Sequence, residues 1–217
     1  MGETNGYPIL MRLKGRRCVV VGGGKVAARK VSGLLEAGAQ VIVISPQFDE
    51  SLITLAAQGR IEARQTAYTS GMLAELRPLL VFAATNSAEV NQQVVDEAHT
   101  LNILVDAVDN ADNSDFTNMA VIRRGAITVG IATGGASPAL TAQLKARVSA
   151  VIGEEYAVLA RWLAELRPLV QQRVLSETER AAFWREVLDS AVLDALRGGD
   201  ETGARAIIDR LWAEYSA

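Results

Sequence analysis

Apolar, β-branched runs recur through the first half of the chain, at Arg17 to Val21, Val41 to Ile44, Leu79 to Ala84 and Ile103 to Val108, with a weaker one at Ile61 to Ala63. Runs that are apolar at nearly every position imply strands buried on both faces, as in a parallel sheet covered by helices. Helical periodicity fills the gaps. Val26 to Ala37 stops at Gly38 and Glu50 to Gln58 stops at Gly59, with glycine at the left-handed position that closes a helix. The stretch NSAEVNQQVVDEAHT opens with Asn86 as N-cap and Glu89 three residues on, the spacing of a capping box. This alternation predicts a doubly wound parallel α/β domain over roughly residues 12 to 113.

The pattern changes after VDNADNSDF, whose Asp and Asn residues favour turns, and a domain boundary is expected near Ser114. A short strand, Ala126 to Ala132, leads to TGGASP and to a helix with Ser137 as N-cap, Pro138 at its first position and Gly153 as its stop. Leu140, Leu144, Val148 and Val151 share one face of that helix. A unit this small cannot bury itself, so it is expected to pack on a second copy of the chain in a two-fold dimer. From Glu154 onward the chain is helical, with Pro168 placed to kink or end the first run. A further helix is expected from Ser176, boxed by Glu179, to about Gly198, and a last one after Asp200. The expected division is 1–114 for a nucleotide-binding domain, 115–152 for a dimerisation unit and 153–217 for a C-terminal helical domain.

Composition narrows the classes of function. The chain has 217 residues, 49% of them hydrophobic, with a net charge of −3, enough apolar material for a core. Its 22 basic residues are scattered, which argues against a nucleic-acid partner. The single cysteine, Cys18, sits in an apolar run and fits a reducing, cytoplasmic setting. The start MGETNGYPIL lacks the pattern of an export signal, and no apolar stretch approaches the ~18 residues of a membrane span.

The segment CVVVGGGKVAARK carries the first candidate chemistry. Gly22, Gly24 and Ala27 match G-x-G-x-x-A between a strand and a helix, the setting of a Rossmann-type dinucleotide fingerprint. The first glycine permits the turn, Gly24 lets a diphosphate approach the backbone, and Ala27 lets helix and sheet pack closely. The alternative is a glycine turn kept for packing alone. Ser45 stands ~20 residues on, where an acidic residue would hold a ribose, and no arginine follows at once to receive a 2′-phosphate. NAD and NADP therefore both remain open on residue chemistry, with NAD favoured. Thr85 and Asn86 fall at the end of the fourth strand, beside the same crevice, with Asn86 readable as cofactor contact or helix cap.

Asp106 and Asp109 end the fifth strand, and Asp109 is the candidate to remove a proton from a substrate, with a turn-forming role as the alternative. The run Asp106, Asp109, Asp112, Asp115 lacks the alternate-residue spacing of a calcium loop. Thr133 and Gly134 form a second glycine turn before a capped helix, able to receive a carboxylate or phosphate. His99, near a helix end, reads as a surface residue, and no metal site is expected. Trp162, Trp184 and Trp212 read as core or interface.

Four blocks in order, YPILMRLKGRRCVVVGGGKVAARKVSGLLEAGAQVIVISP, VFAATNSAEVNQQV, VDAVDNADNSDF and RRGAITVGIATGGASPALTAQLK, together resemble the precorrin-2 dehydrogenase family, whose pattern also forms part of multifunctional siroheme synthases. The resemblance implies NAD-dependent oxidation of precorrin-2 to sirohydrochlorin, with Asp109 as base and Gly22, Gly23, Gly24, Lys25, Val26, Ser45, Pro46 and Gln47 around the cofactor. It implies a homodimer, and a polycarboxylate substrate for which Arg123, Arg124, Lys145 and Arg147 are candidate clamps. Some family members also insert Fe²⁺, and a non-catalytic NAD-sensing module is a further reading of the same fold. This chain departs at Met119, where the family shows proline, and at Thr133, where some members carry a phosphorylatable serine. It lacks a methyltransferase block and is expected to receive precorrin-2 made elsewhere.

Overall fold

The computed structural model describes residues 6–108, 110–174 and 176–216, and the chain divides into two compact units between Thr117 and Asn118. In the first unit, β1 (Arg17–Val21), β2 (Gln40–Ile44), β3 (Glu62–Arg64), β4 (Leu80–Ala83) and β5 (Leu104–Ala107) form one parallel sheet in the order β3-β2-β1-β4-β5. Helices α1 (Lys25–Glu36), α2 (Glu50–Ala57), α3 (Met72–Leu76) and α4 (Ala88–Thr100) connect the strands. Alternate strand residues feed two cores. Cys18, Val20, Val41 and Val43 pack with Ala27, Val31 and Leu34 of α1, while Val19, Val21, Ile42 and Ile44 share the other core with Leu73 of α3 and Val94 of α4. That is the doubly wound sheet expected from the near-continuous apolar runs, and the glycine stops hold, with Gly38 at φ 75° and Gly59 at φ 66°.

Two local expectations need correction. Ser87, not Asn86, caps α4, its hydroxyl accepting the Val90 amide at 3.3 Å. Helix α3 was not legible, because a side chain distant in sequence supports it. The Glu97 carboxylate of α4 accepts the Gly71 amide at 2.9 Å, the Ala74 amide at 3.0 Å and the Tyr68 hydroxyl, so it serves the exposed donors at the start of α3.

The second unit begins with an antiparallel hairpin, β6 (Ala120–Arg124) and β7 (Ile127–Ile131), turned at Gly125 with φ 55°. Only β7 was expected. Among the described residues, five helices follow: α5 (Pro138–Val151), α6 (Glu155–Arg173), α7 (Glu177–Asp189), α8 (Val192–Arg197) and α9 (Glu201–Ser216). Ser137 caps α5 as expected, yet α5 contributes no buried residue. Pro168 lies inside α6, which continues to Arg173 rather than ending there. The single helix expected after Ser176 breaks at Ser190, whose hydroxyl donates to the Val187 carbonyl at 2.7 Å. Phe183 centres the helical core, with the rings of Trp184, Trp212 and Tyr215 at 4.9, 5.7 and 5.3 Å. No helix among the described residues is long and apolar enough to cross a membrane.

Candidate functional site

The strand order puts a switch point between β1 and β4, since the chain turns from β1 to β2 on one side and later to β4 on the other. Open α/β sheets hold ligands beyond the carboxyl ends of the strands at such a point. The loops there are the glycine turn after β1 and the segment from Ala84 to Ser87 after β4.

The three glycines have different reasons to be glycine. Gly22 is buried at φ 125°, its amide donates to the Ile44 carbonyl at 2.9 Å, and a Cβ on it would run into the Ala84 carbonyl. Gly23 is also buried, and a Cβ there would strike the Gln47 carbonyl and the Ser45 side chain. Protein packing therefore accounts for both. Gly24 is exposed, its φ of −85° suits any residue, and no described residue stands within 4 Å of the place its Cβ would take. The cradle a side chain would fill is at Gly24, the position expected to meet a diphosphate.

Helix α1 starts directly after it. It has no side-chain cap and no acidic residue in its first turn, whereas α2 has Asp49 and Glu50, and α4 has Ser87 and Glu89. The amides at the start of a helix have no acceptor within it, and they carry the positive end of the dipole. Lys25 and Val26 are exposed at this end, and Lys25 adds a formal charge. Donors, field and open backbone together fit the diphosphate of a dinucleotide.

The loop after β2 forms a second wall. Ser45 is buried and donates to the Gln47 carbonyl at 2.7 Å, and the Asp49 amide donates to the Gly23 carbonyl at 2.7 Å, so this loop braces the glycine turn. Pro46 and Gln47 are exposed. Asp49 caps α2 through Ser51, and those hydrogen bonds hold its carboxyl below the ordinary value. The D-E-S-L spacing signals this cap, although its bond to Gly23 has no local signature.

The third wall is the tip of β4. Asn86 is exposed, while Thr85 is half-buried and held by Asn91 of α4, a residue that the sequence pattern did not single out. Asp109 lies outside the described residues. Asp106 does not stand at the rim: it is buried and faces α1, where the Lys30 ammonium meets its Oδ2 at 2.7 Å and lies 5.2 Å from the centre of the Phe82 ring. The edge of β5 is stitched by side chains in place of a further strand. Val105 donates to the Asp115 carboxylate at 2.9 Å and Ala107 donates to the Ser114 hydroxyl at 3.0 Å. His99, half-exposed, pairs with Asp115 at 3.5 Å.

The remaining expected residues belong to the second unit. Arg124 is committed there, donating to the Ile152 carbonyl at 3.1 Å, the Ser149 hydroxyl at 2.9 Å and the Arg123 carbonyl at 3.0 Å, with Glu154 alongside at 3.3 Å. It fastens the end of α5, whereas Arg123, exposed on β6, makes no side-chain hydrogen bond or ion pair among the described residues. The Thr133 hydroxyl pairs with that of Thr141 at 2.7 Å, and at Gly134, φ 58°, no described residue stands within 4 Å of where a Cβ would be. Among the described residues no three His, Cys, Asp or Glu side chains gather as a metal site would require.

An uncapped helix start beside open glycine backbone, at the switch point of a parallel sheet, defines a dinucleotide-binding α/β domain. The chain belongs to the family described as Putative NAD(P)-binding, which matches residues 9–120. Residues 155–211 match the Sirohaem synthase dimerisation region, C-terminal to the segment where dimerisation was expected from sequence. The chain is 38% identical over 204 residues to the Siroheme synthase of Chromobacterium violaceum, covering 94% of this chain and 43% of that protein. It is 37% identical over 198 residues to the Siroheme synthase of Methylobacillus flagellatus, covering 91% and 42%. It thus spans less than half the length of these synthases. A solved structure named SirC, precorrin-2 dehydrogenase, superposes with a TM-score of 0.77 at 26% identity, covering 94% of this chain and all of that one.

Proposed function

We propose that this protein is an NAD-dependent dehydrogenase that oxidises precorrin-2 to sirohydrochlorin. The observation that carries the reading is the open backbone at Gly24 at the uncapped start of α1, within a chain that resembles siroheme synthases and a precorrin-2 dehydrogenase over most of its length. When bound, the dinucleotide supplies a hydride acceptor. The chain's own part is to hold it and to move a proton. The amides of Gly24, Lys25 and Val26 receive the diphosphate, Ser45, Pro46 and Gln47 border the adenosine ribose, and Thr85 and Asn86 border the nicotinamide side. Asp109 takes the proton that leaves the substrate with the hydride. Arg123, Thr133 and Gly134 are the groups of the second unit suited to the substrate's carboxylates.

The surroundings of β2 support reading the cofactor as NAD rather than NADP. Arg64, which neighbours Ile44 across the sheet, has its guanidinium held by Glu62 at 2.8 Å and Glu75 at 3.1 Å, so it is not offered to a 2′-phosphate. A homodimer is part of the same reading, supported by the match to a dimerisation region and by α5, whose Leu140 and Val151 are 44% and 66% exposed.

The test supplies enzymatically made precorrin-2 with NAD or NADP and follows reduced nicotinamide by absorbance. Turnover with NAD that is lost in Asp109→Ala supports the assignment. Binding of NAD without turnover would leave a cofactor-sensing module instead.

A further inference from the structure

A side chain of α4 clasps the tip of β4. Asn91, in the second turn of α4, makes three hydrogen bonds to the single residue Thr85: its Oδ1 accepts the Thr85 amide at 3.1 Å and the Thr85 hydroxyl at 2.7 Å, and its Nδ2 donates to the Thr85 carbonyl at 3.1 Å. Both backbone groups of Thr85 are thereby satisfied by one carboxamide, an arrangement that only one orientation of the amide permits. The peptide so held is a wall of the switch-point crevice. The Ala84 carbonyl and the Thr85 nitrogen stand where a Cβ on Gly22 would need to be, the latter at 3.1 Å, and the Ala84 amide donates to the Val21 carbonyl at 2.8 Å. A shift of the 84–85 peptide by a few tenths of an ångström therefore presses directly on the glycine turn.

Resting on the dinucleotide reading above, we propose that Asn91 is a positioning residue for the cofactor: it acts through Thr85 and Gly22 to set the width of the crevice and touches no ligand itself. The role requires a carboxamide. Aspartate offers acceptors to the amide and hydroxyl but repels the Thr85 carbonyl, and alanine offers nothing.

The experiment measures NAD binding by calorimetry and unfolding without cofactor, in the full chain, for wild type, Asn91→Ala and Asn91→Asp. Asn91→Ala and Asn91→Asp are expected to weaken NAD binding about tenfold while remaining folded. In turnover the KM for NAD rises by more than kcat falls. Wild-type affinity in Asn91→Ala overturns the proposal, and so does wild-type affinity in Asn91→Asp should Asn91→Ala fail to fold. A wild-type protein that binds no NAD overturns the dinucleotide reading itself, a different result from either.

Discussion

The carbonyl of Ala84 occupies the place that a side chain on Gly22 would need, whereas two residues later no described residue stands within 4 Å of a Cβ on Gly24. A single motif thus contains one glycine required by the fold and one left free for a ligand, and the two separate experimentally. Gly22→Ala must relieve both a clash with backbone and a φ of 125°, and is expected to destabilise the protein by about 3 kcal/mol. Gly24→Ala has neither problem. It is expected to shift the melting temperature by no more than about 2 °C while weakening NAD binding at least about tenfold. Thermal melts paired with calorimetry check both, and unchanged NAD affinity in Gly24→Ala would remove the cradle from the site.

What the sequence made legible were features written in consecutive residues. The apolar runs of β1, β2, β4 and β5 and the stops at Gly38 and Gly59 are local signals, and each lies where the pattern placed it. The misses have nonlocal causes. Helix α3 has five residues and is served at its start by Glu97, 26 positions beyond Gly71. Strand β6 carries Arg123 and Arg124 and exists because β7 pairs with it across Gly125. At the candidate site, Gly24 and Thr85 stand at strand ends that the pattern marks, but the clasp of Asn91 on Thr85 is unmarked, since nothing in the order of residues tells an amide that clasps a strand tip from one that faces water.

Lys30 and Asp106 join α1 to β5 through a pair whose side chains are 19% and 9% exposed. Removing one partner strands the other charge away from water, so Asp106→Ala is expected to cost about 2 kcal/mol, while Asp106→Asn retains an acceptor and costs about 1 kcal/mol. Replacing both together, Lys30→Met with Asp106→Leu, is expected to recover most of the loss, because a partly buried ion pair gives little net stability over apolar packing. Urea titrations followed by circular dichroism, arranged as a double-mutant cycle, check this, and strictly additive effects would contradict the coupling.

Cys18 is fully buried in β1, and desolvation pushes its thiol up to about 11. A thiol both covered and protonated is unreactive, so Ellman's reagent near neutral pH is expected to leave Cys18 unlabelled in the native protein. The three tryptophans all belong to the second unit. Thiol labelling and fluorescence in increasing urea therefore report the two units separately. Labelling in native buffer at the rate of a free thiol would contradict the burial of β1.

The Glu97 carboxylate gives a pH dependence of definite sign. Burial opposes its ionisation, but the Tyr68 hydroxyl and the amides of Gly71, Ala74 and Leu73 outweigh it and hold the carboxyl below the ordinary value of 4.5. Burial, then the bond to Glu97, moves the Tyr68 hydroxyl the other way. A carboxyl depressed on folding contributes stability that is complete above the unfolded value and drains away as pH falls through the folded one. Glu97→Gln keeps the shape but weakens the acceptor, and is expected to cost about 1 kcal/mol at neutral pH, a low figure because solvent screens the group. The gap in unfolding midpoint between wild type and variant should hold steady from about pH 8 to about pH 6 and close below pH 4.5, the acid side of the ordinary carboxyl range. A gap that persists at the acid end would mean that the lost contact acts by packing rather than by charge.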